Sequence, residues 1–220
     1  MKLFYLLPLL FLFSSPSQEI SIFSPPTSQF PYINPQEEYL YLDTLMESFL
    51  SQTLVAGVSL SVNQAGKMIY SKGFGYADVA QRINMQPSTP IRTASVAKVM
   101  TATALGKLAS EGKLDFDQPL SSYISYLEEP FASLTARQIA GHTAGLPHRP
   151  SSKKVKNMHY TETRPTVAIL EKETLLFEPD TDYKYSSLGY NLLAALIEEV
   201  SGKRYVDYMK EDIFTPLQMV

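Results

Sequence analysis

The chain has 220 residues, a formal net charge of −3 and no cysteine, and 45% of its residues are hydrophobic. This length and apolar content suit one domain with a substantial core, and the weakly acidic balance gives no basic surface for nucleic acid. The absence of cysteine excludes disulfides, thiolate metal sites and cysteine-linked lipids. Three histidines lack the close spacing of a helical metal-binding pair: His142, His148 and His159.

Residues 1–17 have the pattern of a secretory signal peptide. Lys2 supplies a positive charge, Leu3 to Phe13 is an apolar run too short to span a bilayer, and small residues end at Ser17. We expect cleavage after Ser17 and export to a periplasm or the cell exterior, with no stable membrane span afterwards. An uncleaved membrane anchor is the alternative. Residues 18–36, which are rich in serine and proline and show no periodicity, are predicted to be a linker.

The first elements after the linker are predicted to be a helix and an antiparallel hairpin. The helix is predicted from apolar residues at helical spacing: Leu42, Leu45, Met46, Phe49 and Leu50. Within residues 55–62, Val58, Leu60 and Val62 alternate with serines, which predicts a half-buried strand. Gln64-Ala65-Gly66 supplies a turn, and residues 67–74 are predicted to return as a second strand.

A second helix is predicted to begin at Ser95 and to stop at Gly112. On a helix, Ser95 and Lys98 lie on one face with β-carbons about 5–6 Å apart. A hydroxyl beside an amine is a nucleophile–base arrangement, provided that the amine is partly desolvated and releases its proton readily. The pair is therefore the main candidate for chemistry in this chain.

The Ser-x-x-Lys spacing alone does not identify a nucleophile, because it occurs twice more. Ser110 and Lys113 lie at the predicted end of the Ser95 helix. Ser151 and Lys154 lie in a lysine-rich stretch that also contains Lys153 and Lys156, and such a charge cluster is typical of a solvated loop. We expect neither of these two serines to be reactive.

Two later segments carry polar residues at helix ends. Residues 134–147 predict a short helix capped by Thr135 that runs into a glycine-rich loop containing His142. A catalytic role for His142 is one interpretation, and fixing the loop by a hydrogen bond is the favoured one. Tyr185 precedes another helix and could present a phenol to a shared cleft if a lysine lowered its pKa from about 10. Without further context, the tyrosines of this segment are interpreted as packing aromatics.

The segment after Tyr185 has a strong helical pattern. It ends at Gly202, and its apolar stripe has helical spacing: Leu192, Leu193, Leu196, Ile197 and Val200.

Taken together, the segments resemble the serine β-lactamase and penicillin-binding-protein superfamily, on its class C and esterase side. The matching stretches follow the family's order and spacing over residues 40–220: Gly73–Ala77, Ala94–Lys98, Gly112–Asp115, His142–Pro147, Tyr185–Leu193 and Ser201–Gly202. The Tyr-Ser-Ser motif, followed by a helix that contains Leu-Leu-Ala-Ala, is similar to the corresponding segment in the branch that contains the mitochondrial β-lactamase-like serine protease.

The resemblance implies an α/β (α+β) fold of the β-lactamase/transpeptidase type, with a helical lobe and a partial antiparallel sheet. It implies that Ser95 is the acylated nucleophile, that Lys98 takes up or relays its proton, and that Tyr185 is the partner base and the acid to the leaving group. The backbone N–H of Ser95 would form half of an oxyanion hole. Neither a metal nor an organic cofactor is implied.

Two departures from the family pattern qualify this interpretation. The tyrosine motif of the family ends in asparagine, whereas this chain has Ser187, a shorter candidate for gripping the substrate. The family's third motif, Lys-Thr-Gly or His-x-Gly, has no counterpart after Tyr185. We therefore expect residues 37–220 to be an incomplete hydrolase domain that lacks its C-terminal strands and is inactive alone.

The sequence leaves the substrate and the assembly open. A β-lactam, a peptidoglycan peptide, another peptide or a small ester would each suit acyl transfer through a serine ester. The alternative function is an exported, non-catalytic domain that binds peptide or cell wall in the same cleft. No nucleic-acid partner is expected, and the sequence does not determine the oligomeric state.

Overall fold

The computed structural model describes residues 39–151, 160 and 162–219. The chain divides after Pro90 into two compact units. The predicted signal peptide (1–17), the predicted linker (18–36) and the lysines of the 153–156 cluster lie outside the described residues. None of the described helices combines the length and apolar content needed to cross a bilayer.

The first unit contains helix α1 (Leu40–Gln52) and a small antiparallel sheet of three strands in the order β1-β2-β3. The strands are β1 (Gly57–Gln64), β2 (Lys67–Asp78) and β3 (Ile83–Asn84). The predicted hairpin is confirmed, although β2 continues to Asp78 instead of ending at Phe74. Its turn places Ala65 and Gly66 at φ 49° and 75°, the two positive angles of a type I′ hairpin turn.

Polar contacts attach α1 to the sheet. The buried Tyr70 donates to the carboxylate of Asp43 at 2.5 Å, and Lys72 donates to its other oxygen at 2.6 Å. Burial raises the pKa of Asp43, but the hydrogen bonds from Lys72 and Tyr70 outweigh it and the net pKa is lowered. The predicted helix is confirmed, yet none of its residues is fully buried in the described part of the chain. The Asp43 carboxylate thus joins α1 to β2.

The second unit is helical and is built around α5. After a 3₁₀ turn, its elements in chain order are α2 (Ala97–Ser110), α3 (Ala136–Ala140), α4 (Arg164–Leu170), α5 (Leu188–Ser201), α6 (Tyr205–Tyr208) and a final π-helical segment (Met209–Phe214). Helices α2, α3, α4 and α6 all pack against α5. The predicted stripe of α5 is buried at its centre, with Leu192, Leu193, Leu196 and Ile197 at 0% exposure. Burying each such side chain contributes about 1.5–3 kcal/mol, so α5 fixes the positions of the helices around it.

The helix predicted to begin at Ser95 begins differently. Residues Ala94–Val96 form a 3₁₀ turn, and regular α-helix starts only at Ala97. Ala94 has a positive φ of 46°, which cannot be part of a regular helix. The predicted end is confirmed, since α2 finishes at Ser110 just before Gly112.

Candidate active site

The 3₁₀ turn and the first turn of α2 bring Ser95 and Lys98 together. The Lys98 ammonium lies 3.4 Å from the hydroxyl oxygen of Ser95, a long hydrogen bond that the helical spacing predicts. Ser95 is exposed and Lys98 is half-buried. Ala94, immediately before Ser95, has a left-handed backbone conformation, which is costly for a residue with a β-carbon. Such strain is concentrated at functional sites.

Tyr185 completes the arrangement from the segment before α5. Its phenol oxygen lies 2.8 Å from the hydroxyl oxygen of Ser95, although 90 residues separate them in sequence. The Lys98 nitrogen lies 5.0 Å from the centre of the Tyr185 ring and 5.2 Å from that of Tyr190. Hydrogen bonding to Lys98 and then to Ser95 lowers the pKa of the Tyr185 phenol, against an opposing contribution from burial. The site thus gives Tyr185 the cationic neighbour that a tyrosine base requires.

Ser187 lies on the other side of the lysine. Its hydroxyl oxygen accepts from Lys98 at 3.5 Å, so the ammonium group lies between Ser95 and Ser187. A contact of this length is weak. The shorter serine side chain therefore reaches the lysine, but it holds the lysine less firmly than a normal hydrogen bond of about 2.9 Å would.

The other Ser-x-x-Lys pairs are engaged elsewhere. The Ser110 hydroxyl donates to the carbonyl of Lys107 at 2.8 Å, and Lys113 pairs with Glu111 at 2.9 Å. Ser151 donates to the carboxylate of Glu173 at 2.9 Å, while its lysine lies outside the described residues. In the described structure neither hydroxyl contacts both a lysine amine and a tyrosine phenol, as that of Ser95 does.

The predicted N-terminal cap of α3 by Thr135 is confirmed. The Thr135 hydroxyl accepts from the backbone N–H of Gln138, whose side chain in turn accepts from the N–H of Thr135. This reciprocal pair is a capping box. It fixes the N-terminal end of α3, and the loop 142–148 follows the opposite, C-terminal end of this helix.

The loop 142–148 supports the Tyr-Ser-Ser segment along its length. The carbonyl of His142 accepts from the N–H of Lys184 at 3.0 Å, and the carbonyl of His148 accepts from the N–H of Ser187 at 3.3 Å. Between these two contacts, the buried Ser186 hydroxyl donates to the carbonyl of Pro147 at 2.8 Å. The favoured interpretation of His142, as a residue that fixes a loop by hydrogen bonding, agrees with its contacts.

Sequence reasoning missed two residues of the site. Ser186 also accepts from the N–H of Gly189 at 2.9 Å, so it ties the first turn of α5 to the loop 142–148. A serine just before a helix is a recognisable capping signal that could have identified it. Tyr190 lies beneath Lys98 with its hydroxyl bonded to the carbonyl of Ala140 at 3.3 Å. Its spacing on α5 carries no signal that distinguishes it from a packing residue.

Metal chemistry has no candidate site in the described ranges. No cluster of three or more histidine and carboxylate side chains there could hold a metal ion. The polar groups around Ser95 are a lysine, a tyrosine and a serine, and these suit proton transfer to and from a hydroxyl nucleophile.

The fold is that of the serine β-lactamase-like proteins. Residues 42–220 match the Beta-lactamase family, and the chain belongs to that family. Protein flp of Staphylococcus aureus strain MW2 is 30% identical over 81% of this chain and 36% of its own length. The human mitochondrial serine beta-lactamase-like protein LACTB is 28% identical over 74% of this chain and 42% of its own length. The resemblance to the superfamily and to the LACTB branch is thereby confirmed.

Solved structures support the same fold. The D-amino acid amidase of Ochrobactrum anthropi, complexed with L-phenylalanine, is 28% identical and superposes with a TM-score of 0.70. The match covers 80% of this chain and 48% of the amidase. The predicted fold class, a β-lactamase/transpeptidase-like arrangement of helices with a small antiparallel sheet, is confirmed. The chain spans less than half the length of these relatives.

Proposed function

We propose that this chain carries the catalytic residues of an exported serine hydrolase that acts through an acyl-enzyme on Ser95. The observation that carries the proposal is the position of the Ser95 hydroxyl, 2.8 Å from the phenol of Tyr185 and 3.4 Å from the ammonium of Lys98. Two groups able to exchange a proton thus contact one exposed hydroxyl. Neither of the other two Ser-x-x-Lys serines has such neighbours in the described part of the chain.

In the proposed reaction, the oxygen of Ser95 attacks a carbonyl carbon and its proton passes to the Tyr185–Lys98 pair. The oxyanion that forms accepts a hydrogen bond from the backbone N–H of Ser95. The carbonyl–leaving-group bond then breaks as the leaving group takes the proton from Tyr185, which leaves an ester on Ser95. Water attacks this ester by the reverse sequence, releases an acid and restores the serine hydroxyl.

The lowered pKa of Tyr185 supports its role as the base. An unperturbed phenol, with a pKa of about 10, is almost fully protonated at neutral pH. The hydrogen bond to Lys98 is the largest favourable contribution to the shift. Lys98 therefore acts on the nucleophile both directly and through the tyrosine.

The names of the relatives indicate the substrate class. One related structure is an amidase and one relative is described as beta-lactamase-like, so carbonyl compounds with a nitrogen leaving group are the first substrates to test. Peptides and β-lactams have such a leaving group, and small esters, with an oxygen leaving group, can undergo the same acyl transfer to a serine.

A non-catalytic binding domain is the second candidate. It is favoured by the long 3.5 Å contact between Lys98 and Ser187, where the family pattern has an asparagine. In that case the cleft would bind a peptide or a cell-wall component without forming an ester.

A serine-reactive acylating probe separates the two candidates. The full-length natural protein is treated with a β-lactam probe and with an activated ester, and labelling is followed by intact mass spectrometry and peptide mapping. We expect one adduct on Ser95, its loss in Ser95→Ala, and a decrease in turnover of about 10³-fold or more. Ser110→Ala is the matched control and should label normally. Undiminished labelling of Ser95→Ala would exclude Ser95, and absence of labelling in the wild type would favour the binding domain.

We also propose that the 220-residue chain is inactive alone. Its relatives are more than twice as long as the matched part. The second half of the oxyanion hole is proposed to follow the family's third motif, which has no counterpart after Tyr185, and the loss of one such donor costs about 10²–10³ in rate. Purified residues 18–220 should hydrolyse no β-lactam or ester faster than their Ser95→Ala control. Ser95-dependent turnover by this fragment would overturn the proposal.

Export is a separate proposal that rests on residues 1–17. The N-terminus of the secreted or periplasmic protein should begin at Gln18, which N-terminal sequencing can determine. Recovery of Met1 would instead support an uncleaved membrane anchor.

A further inference from the structure

We propose that His142 is a positioning residue for Tyr185. With its imidazole neutral, His142 accepts hydrogen bonds from the backbone on both sides of that tyrosine, an arrangement called the clamp below. The proposal rests on the proposed function, because it concerns how the base of that reaction is held. His142 contacts neither Ser95 nor Lys98 by a hydrogen bond in the described structure. Its effect is therefore exerted through Tyr185.

The clamp consists of two hydrogen bonds, donated by the two residues that flank the tyrosine. The carbonyl oxygen of His142 accepts from the N–H of Lys184 at 3.0 Å, and its ring Nδ1 accepts from the N–H of Ser186 at 3.2 Å. The imidazole also lies against the Tyr185 ring, with centroids 4.5 Å apart. One residue thus binds the N–H groups of both residues that flank Tyr185 and supports its ring.

The backbone of His142 is itself in an unusual conformation. Its φ of 64° lies in the left-handed region, which residues with a β-carbon seldom adopt. The conformation is held from the helical side, because the N–H of His142 donates to Ile139 at 3.2 Å and the N–H of Thr143 donates to Gln138 at 2.9 Å. This bend directs the carbonyl and the ring of His142 to the same tyrosine segment, which suggests that the strain is retained for that purpose.

The clamp requires a neutral imidazole. The backbone N–H of Ser186 can only donate, so Nδ1 must be the acceptor and the ring proton must lie on Nε2. In the imidazolium both nitrogens donate, and the bond to Ser186 is lost. The charged and titratable groups around the ring are Lys98, His148, Tyr183, Tyr185 and Tyr190. Burial, followed by the charges of Lys98 and His148, lowers the pKa of His142 and favours the neutral form.

The tautomer and the titration can be measured without any turnover. In the full-length natural protein labelled with ¹⁵N-histidine, we expect His142 to carry its proton on Nε2 and to titrate below the ordinary histidine pKa of about 6.5. The signal is assigned by its disappearance in a His142 variant. A proton on Nδ1, or an unshifted titration, would overturn the proposal whatever the outcome of the labelling experiments on Ser95.

Two substitutions separate the acceptor from the ring. His142→Asn keeps an acceptor, tolerates the left-handed backbone and cannot titrate. His142→Phe keeps an aromatic ring and removes the acceptor. Because a displacement of about 1 Å can cost 10²-fold in rate, we expect His142→Phe to acylate Ser95 about 10²-fold more slowly, and His142→Asn to remain within about 10-fold of the wild type.

The pH dependence provides a signature that a merely structural role would not produce. Wild-type acylation should fall as the pH drops through the lowered pKa of His142, and His142→Asn should lack that acidic decrease. If His142→Phe does not fold in a cooperative melt, the His142→Asn profile and the tautomer measurement decide the question. Equal impairment of both variants, or a His142→Phe protein that reacts like the wild type, would refute the clamp.

Discussion

Replacing Gly145 by alanine should destabilise the second unit far more than the same change at Gly112. Both glycines have a positive φ, 75° for Gly145 and 69° for Gly112. A β-carbon added at Gly145 would lie 2.3 Å from the carbonyl oxygen of Phe177, whereas one added at Gly112 would meet no atom within 4 Å. The two variants thus share the conformational cost and differ in the steric contact.

The expected magnitudes follow from these two contributions. A left-handed conformation costs an alanine about 1–2 kcal/mol, and the reduced entropy of the unfolded chain returns about 0.4–1 kcal/mol. Gly112→Ala should therefore lose roughly 1 kcal/mol of unfolding free energy. The overlap with the Phe177 backbone adds about 1–3 kcal/mol of overpacking strain. Gly145→Ala should then lose roughly 2–4 kcal/mol.

Urea unfolding of the full-length natural protein, followed by circular dichroism, measures both losses. Gly145 also accepts from the N–H of Leu176 at 2.8 Å, so a shift of this loop should be transmitted to the segment around Tyr185. We therefore expect slower probe labelling of Ser95 in Gly145→Ala and normal labelling in Gly112→Ala. Equal losses of stability in the two variants would refute the close-contact argument.

Three further variants test the site and its support. Lys98→Met should raise the pKa of Tyr185 towards about 10, which NMR of ¹³C-labelled tyrosine measures. Because the pKa of Tyr185 is lowered in the folded state, its interaction with Lys98 adds stability only at alkaline pH and nothing below the folded-state pKa. Thr101→Val leaves the half-buried hydroxyl of Tyr205 without its 2.7 Å partner and should cost about 1–3 kcal/mol, most of which Tyr205→Phe in the same background should recover. Leu193→Ala, at a fully buried position, should cost about 2–5 kcal/mol in urea unfolding. An unchanged titration of Tyr185 would contradict the first argument. Additive losses of stability in the Thr101→Val/Tyr205→Phe protein would contradict the second, and a loss below about 1 kcal/mol in Leu193→Ala would contradict the third.

The features that the sequence predicts correctly are local ones. The Ala65-Gly66 turn, the Thr135 capping box and the stop of α2 before Gly112 each depend on residues within a few positions of one another. Their physical causes, such as positive φ or an unpaired N–H at a helix end, act over the same short distance. The long amphipathic stripe of α5 is predictable for the related reason that helical periodicity accumulates over several turns.

The errors also have local causes. The two residues of β3 are too few for a period-2 pattern, so the sequence indicates a hairpin where the structure has a third strand. The left-handed Ala94 replaces the predicted helical start at Ser95 by a 3₁₀ turn. Alanine has the highest helix propensity, and nothing in its chemistry signals a positive φ. Such strain is imposed by the surrounding structure.

The assembly of the candidate site lies beyond the reach of local patterns. Ser95 and Tyr185 are 90 residues apart in sequence, and their contact depends on how α2 and α5 pack. The family resemblance supplies the pairing, but no propensity or periodicity implies it. The bond from Ser186 to His142, across 44 residues, is of the same kind. It becomes visible only when the loop 142–148 is placed beside the tyrosine segment.

The Ser95–Lys98 and Ser95–Tyr185 distances therefore depend on different parts of the structure. Ser95 and Lys98 are three residues apart, so their separation of 3.4 Å depends only on the 3₁₀ turn and the first turn of α2. The 2.8 Å contact with Tyr185 requires in addition the core between α2 and α5 and the hydrogen bonds of the loop 142–148. A perturbation of the packing should lengthen the tyrosine contact first and leave the serine–lysine pair intact. Tyr185 is consequently the residue of the candidate site most sensitive to changes elsewhere in the helical unit. Substitutions of the residues that hold it, His142 and Ser186 above all, should affect probe labelling of Ser95 more than they affect stability.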